Sequence, residues 1–146
     1  ACELLDGRYV DAKLRAMAVH HLDNALNDDQ LQLYLLILVQ AIRFEPHAFS
    51  PLVRLLLMRA LMDYRVGHTL FWLLRAELAH LLAVDQSKTT LFSRYALLLE
   101  AYCRGNSVHL HSMIKQVEMV STLTALSSLV RACGNKEMGT KVNKMK

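Results

Sequence analysis

The string HHLDNALND, residues 20–28, contains residue types that could act in catalysis. His21 stands two residues before Asp23, as in a catalytic loop whose aspartate accepts a proton. Such a loop also needs an asparagine five residues after the aspartate to hold a metal ion, and position 28 is an aspartate. The segment has helical periodicity, so we interpret the string as part of a helix.

The remaining histidines and the cysteines could serve as metal ligands or nucleophiles. His109 and His111 form an HxH pair, but residues two apart point to different sides of a helix, so a metal pair would need a loop or strand there. Cys2, Cys103 and Cys133 are widely spaced and form no CxxC pair. Without a base nearby in sequence, Cys103 is interpreted as a half-buried apolar residue. We therefore predict no catalytic, cofactor-binding or metal-binding residue in this chain.

The string RVGHTLFWLLRAEL, residues 65–78, places His68 four residues before Trp72, the only tryptophan. Residues four apart share a helix face, so the two side chains could form a site or pack together. We predict that the two side chains pack together, with His68 either hydrogen-bonded to Trp72 or stacked on its ring. Gly67 either permits close approach of a neighbouring helix or marks a turn.

The composition favours helices and a reducing compartment. The 146 residues are 53% apolar and 21% charged, with only five glycines and two prolines. The odd cysteine count is typical of a cytoplasmic protein, and the acidic N-terminal string is unlike a signal peptide.

The net charge of +4 comes largely from four lysines near the end of the sequence, which are Lys136, Lys141, Lys144 and Lys146. They are compatible with a linker, with a tail that meets anionic lipid, or with ordinary solubility. Arg54 and Arg59 are five apart and point apart on a helix, so no basic stripe for nucleic acid forms and no nucleic-acid partner is expected.

Apolar periodicity predicts six helices and no strand. Asp11, Asn27 or Asp28, and Ser50 before Pro51 have the residue types that begin helices. The helix body LQLYLLILVQAIRF is apolar nearly all round, which predicts burial on several sides. The predicted helices span about 11–24, 28–44, 51–62, 65–83, 90–104 and 108–133, the last ending at Gly134. The predicted core comprises Leu33, Leu36, Phe71, Trp72, Leu98 and Tyr102.

Helix pairs recur at an offset of about 39 residues, since LRAMAVHHL aligns with VRLLLMRAL and LYLLILVQA with FWLLRAELA. This period is typical of a HEAT-like or armadillo-like α-solenoid, in which each pair buries its inner face against its neighbours. The fold class predicted is therefore all-α, with antiparallel helix pairs stacked in sequence. The opening string ACELLDGRYV would expose Leu4, Leu5, Tyr9 and Val10 without a preceding element, so we expect a longer parent protein.

Five strings carry a resemblance to a known family: ELLDGRYVDAKLRAMAVHHL, LNDDQLQLYLLILVQAIRFEP, SPLVRLLLMRAL, RVGHTLFWLLRAEL and SRYALLLEAYCRGN. Residues 3–120 resemble the helical domain, also called the PIK or accessory domain, of phosphoinositide 3-kinase catalytic subunits. GHTLFWLLRAE and LLLEAYCRG look more like class I than class III, and class II stays open as an alternative to class I. The segment ELAHLLAVDQSKTTLFSRY is longer than in relatives, and Leu73 stands where class I members usually have histidine.

The resemblance implies a scaffold domain, residues 1–133, that is truncated on its N-terminal side and followed by a linker, residues 134–146, towards an absent kinase domain. Its implied partners are the C2 and kinase domains of the same polypeptide, together with a regulatory subunit in class I. The implied parent enzyme is cytoplasmic and meets membranes through its other domains. ATP and Mg²⁺ would bind that absent kinase domain, with no cofactor in this chain.

The alternative interpretation is an unrelated HEAT-type adaptor whose concave face grips a peptide or helix. An adaptor predicts a groove lined by exposed apolar or like-charged residues, whereas the kinase resemblance predicts a catalytic lobe after Lys146. A free-standing enzyme is disfavoured because neither a phosphate-binding loop nor a paired acid and base is present in the sequence.

Overall fold

The computed structural model of the chain describes residues 2–9 and 11–143, with side chains described as far as residue 133. Short 3-10 helices form at Cys2–Leu5 and Ile42–Phe44. The α-helices are α1 Ala12–Ala25, α2 Asp28–Ala41, α3 Pro51–Met62, α4 Tyr64–Ala83, α5 Thr90–Gly105 and α6 Ser107–Asn143. Over these residues there is no strand, which confirms the all-α prediction. None of the helices in this part of the chain is long and apolar enough to cross a membrane.

Side chains at the predicted positions begin the first three helices. Asp11 accepts hydrogen bonds from the backbone N–H groups of Lys13 and Leu14 at 2.7 and 3.1 Å. Asn27 and Gln30 form a reciprocal capping box at the start of α2. Ser50 accepts from the N–H of Val53 before α3, where Pro51 is the first helical residue. These polar groups satisfy amides that have no partner inside the helix.

The chain divides into two compact units, Ala1–Ser107 and Val108–Lys146. In the first unit α1 packs on α3 and α3 on α5, while α2 packs on α4. The odd-numbered helices therefore form one layer and α2 and α4 form the other. Because α4 also contacts both α3 and α5, the layers are joined as in a helical solenoid.

The second unit is built on α6, which does not end at Gly134 as predicted but continues to Asn143. A glycine inside a helix costs only about 1 kcal/mol relative to alanine, and the residues NKEMGTKVN that follow Gly134 contain no proline. Lys144 and Lys146 lie outside the described residues, as do the side chains of Lys136 and Lys141. The interpretation of 134–146 as a linker stays a prediction.

The core of the first unit confirms three of the six predicted core residues. Phe71, Leu98 and Tyr102 are 6%, 2% and 2% exposed, whereas Trp72 is half-buried. The prediction that Leu33 and Leu36 belong to the core was wrong, because their side chains are 80% and 48% exposed. The reason is that α2 is covered on one side only: it packs on α4, and its opposite face meets solvent.

Candidate docking surface

The string that imitates a catalytic loop is helical over residues 20–25 as predicted, but it breaks at Leu26 and Asn27 before α2 begins at Asp28, and its acids hold an arginine. Asp23 lies in α1 and its carboxylate is 3.0 Å from Nη1 of Arg59. Asp28 begins α2 and its carboxylate is 2.7 Å from Nε of the same side chain. Arg59 also donates to the carbonyl of Leu26 at 2.8 Å, so it fastens the α1–α2 turn to α3. These carboxylates have a structural partner, and His21 is exposed on α1.

The other candidate chemical residues are not brought together. His109 and His111 both lie on α6, and no group of three or more His, Cys, Asp or Glu side chains suited to a metal ion occurs among the described residues. Cys103 is half-buried on α5, as predicted, and burial raises the pKa of its thiol. A raised pKa leaves less of the reactive thiolate at neutral pH.

The residues of the RVGHTLFWLLRAEL string mainly pack. The Phe71 and Trp72 rings meet edge to face, with centroids 5.5 Å apart. The ring of His68 lies 6.0 Å from that of Tyr64; its stacking or hydrogen bonding with Trp72 stays a prediction. A Cβ at Gly67 would lie 2.6 Å from the carbonyl oxygen of Ala60, so this glycine permits close approach of α3 to α4 rather than marking a turn.

A buried polar network, which sequence reasoning missed, supports one end of the first unit. Arg15 and Glu45 form an ion pair although they are only 2% and 4% exposed. The same guanidinium donates to the carbonyls of Leu5, Asp6 and Tyr9 at 3.0, 3.2 and 3.2 Å. It therefore fixes the segment that enters α1.

A second arginine extends this network to α5. Arg94 donates to the carbonyl oxygen of Glu45 at 2.5 Å and to that of Pro46 at 3.4 Å. The EPHAFSP connection between α2 and α3 is thereby held from both sides. One sequence signal was available for Arg15, which takes a place on the same face as Ala18 and Leu22, where the apolar pattern of α1 continues.

The exposed side of α2 and the 3-10 helix that follows it carry large apolar side chains. We define the α2 face as Leu33, Leu36 and Ile37 of α2 together with Phe44 of the 3-10 helix that follows it; these side chains are 80%, 48%, 53% and 48% exposed. Its end opens into a cleft of about 490 Å³, which is lined by Ile37 and Phe44 and by the charged side chains of Glu3, Asp6, Arg8 and Arg43. Exposed large apolar side chains next to a mixed-charge rim are typical of a protein contact surface.

Comparison with known proteins identifies what the chain is similar to. Residues 1–115 match the Phosphoinositide 3-kinase family, accessory domain (PIK domain). Phosphatidylinositol 3-kinase age-1 of Caenorhabditis elegans is 46% identical over 131 residues, and that of Caenorhabditis briggsae is 44% identical over 131 residues. Each alignment covers 90% of this chain and 11% of the relative, so the chain spans only about a ninth of the length of these proteins.

Proposed function

The chain belongs to the accessory (PIK) domain of the phosphoinositide 3-kinase family, and from this membership we propose that it is a non-catalytic helical scaffold within a longer phosphatidylinositol 3-kinase. The parent enzyme would transfer the γ-phosphate of ATP to the inositol 3-hydroxyl of a phosphoinositide. ATP and Mg²⁺ would bind its kinase domain, because phosphoryl transfer needs a phosphate-gripping loop and metal-binding acids that this sequence does not contain.

The α2 face is the observation that carries the scaffold proposal. α2 is buried on its α4 side by Leu31, Leu35 and Leu38, yet its other side leaves the α2 face in solvent. Covering such side chains contributes about 25 cal/mol per Å² of apolar surface removed from water. We propose that other parts of the same polypeptide, the C2 and kinase domains, pack on this domain, and that the α2 face is one of the contacts.

The class and the cellular setting belong to the same proposal. The strings GHTLFWLLRAE and LLLEAYCRG favour class I, in which a regulatory subunit is a further partner. The parent would be cytoplasmic and recruited to membranes through its other domains. The family match also decides against an adaptor unrelated to these kinases.

Charge insertion on the α2 face tests the proposal. We expect Leu33→Arg to leave the thermal midpoint of the 146-residue chain unchanged, because the side chain is 80% exposed. In the full-length parent kinase the same change would bury an unpaired charge in the contact, lower the midpoint of unfolding and alter the basal lipid kinase rate.

Leu97→Arg is the matched control, since Leu97 is a 56% exposed leucine on α5, away from the α2 face. It should leave the parent's midpoint and rate close to those of the unmodified enzyme. If the parent tolerates both Leu33→Arg and Ile37→Arg as well as it tolerates Leu97→Arg, the α2 face is not a contact surface.

A further inference from the structure

A different exposed surface, which we call the methionine groove, lies between α1 and α3 in the first unit. Its volume is about 390 Å³. Its lining includes Ala16 and Val19 of α1 and Arg54, Leu55, Met58 and Met62 of α3. The groove follows the 12-residue helix α3, whose length is about 18 Å.

The groove has a buried apolar floor and a flexible apolar rim. Val19 and Leu55 are 6% and 7% exposed, whereas Met58 and Met62 are 50% and 80% exposed. Methionine is unbranched and polarizable, so its side chain adjusts to the surface of a partner. Met58 and Met62 are four residues apart and share a face of α3, so the two side chains of the rim are separated by about one helical turn.

Charge distinguishes the partner that this groove fits. Arg54 is exposed one turn before Met58, and among the side chains that the structure describes no ion pair involves it. Arg59, at the other end, is neutralised by Asp23 and Asp28. The groove therefore presents one uncompensated positive charge beside apolar side chains, and a complementary ligand carries a carboxylate next to an apolar stripe.

We propose that the methionine groove binds an amphipathic helix of a partner protein, with apolar side chains four residues apart seated against Met58 and Met62 and a carboxylate paired with Arg54. Helices commonly dock in apolar grooves through anchors at such spacing. An anionic lipid surface fits less well, because it is held by several basic side chains together and the groove offers one. The proposal goes beyond the scaffold role and does not depend on it, since the α2 face lies on a different helix.

The first test uses a synthetic probe and the methionine methyl groups as reporters. The probe is a 12-residue helical peptide, the length of α3, with two leucines four residues apart and a glutamate one turn away. It is titrated into the 146-residue chain labelled with ¹³C at the methionine methyls. We expect the Met58 and Met62 resonances to move together, while that of Met119, a 58% exposed residue of α6, stays in place.

Charge reversal then tests the pairing. Arg54→Glu should weaken binding of the glutamate peptide about fivefold and strengthen binding of a peptide with lysine in place of that glutamate. Arg75→Glu is the matched control, because Arg75 is an exposed arginine of α4 outside the groove. Met58→Gln combined with Met62→Gln should weaken both peptides.

Three outcomes would overturn the proposal. One is a peptide of the same composition in scrambled order that binds as tightly as the patterned one. Another is an equal loss of affinity from Arg75→Glu and Arg54→Glu. The third is movement of the Met58 and Met62 resonances with phosphatidylserine vesicles but not with the peptide, which would assign the groove to a membrane surface.

Discussion

At the scale of single residues, Arg15 brings several buried polar contacts together on one side chain. Its guanidinium pairs with the buried carboxylate of Glu45 and donates to three backbone carbonyls. A buried ion pair adds little to stability compared with an apolar pair of the same shape, but removing one partner leaves an uncompensated charge. The network therefore specifies where the entry to α1 and the α2–α3 connection lie more than it strengthens the fold.

A double-mutant cycle tests this interpretation. Arg15→Met should lower the free energy of unfolding by about 3–5 kcal/mol, because the Glu45 carboxylate is left buried and unpaired. Arg15→Met with Glu45→Met should lose less than Arg15→Met alone, yet remain destabilised because the carbonyls that Arg15 satisfied have no donor. Urea denaturation measures each variant. Losses that simply add in the double variant would show that the two side chains are not coupled.

Arg59→Met serves as the comparison for that cycle. Its partners Asp23 and Asp28 have side chains that are 49% and 41% exposed, so water solvates their carboxylates once the arginine is gone. We expect a loss of about 1 kcal/mol, clearly smaller than that of Arg15→Met.

At the scale of elements, α4 is the helix around which the first unit is arranged. It contacts α2, α3 and α5. Close approach depends on Gly67, where a Cβ would lie 2.6 Å from the Ala60 carbonyl oxygen of α3 and 2.9 Å from Cε2 of Tyr102 in α5. Neither neighbour can move aside easily, because one is helix backbone and the other is a ring that is 2% exposed.

Gly67→Ala should consequently destabilise the chain by about 1–3 kcal/mol through overpacking, although alanine is the better helix former. Gly105→Ala is the control within the same unit. A Cβ there would meet Cδ2 of Leu61 at 2.7 Å, which is the end of a flexible side chain. Thermal unfolding of both variants checks the difference. A Gly67→Ala chain as stable as Gly105→Ala would mean that α3 and α4 are free to separate slightly.

At the scale of the whole molecule, two buried tyrosines of α5 make stability depend on pH in alkali. Tyr95 and Tyr102 are 0% and 2% exposed. Burial is the main cause that raises the pKa of Tyr95, and burial raises the pKa of Tyr102 to about 12. Above the ordinary pKa of about 10 the unfolded chain releases phenol protons that the folded chain keeps. The folded state therefore loses stability as the pH rises from about 10 to about 12.

Tyr102→Phe should make this loss of stability in alkali smaller, because the variant lacks one of the two phenols that keep their protons in the folded chain. The measurement is the free energy of unfolding in urea at about pH 8 and about pH 11. Tyr34→Phe, at a tyrosine that is 42% exposed, is the control and should leave the difference between the two pH values unchanged. An alkaline loss of the same size in all three chains would show that the buried phenols do not govern it.

The sequence by itself determined the helices, most of their starts, the pairing period and the family. Helix periodicity and caps such as Asp11, Asn27 and Ser50 act over a few neighbouring residues, so they can be recognised in the sequence without knowledge of the fold. The same holds for the buried Phe71, Leu98 and Tyr102, which lie on the apolar sides of well-patterned helices. The end of α6 was misplaced because a single glycine is a weak stop signal.

Only the tertiary structure decided which apolar side chains are covered and which polar ones are buried. α2 is apolar nearly all round, so its pattern could not show that Leu33 and Leu36 face solvent while Leu35 and Leu38 face α4. Likewise, the sequence around Arg15 could not show that it pairs with Glu45, which lies thirty positions further along the chain. Burial and long-range pairing depend on which helices stack side by side, and that choice is a property of the assembled layers rather than of any local run of residues.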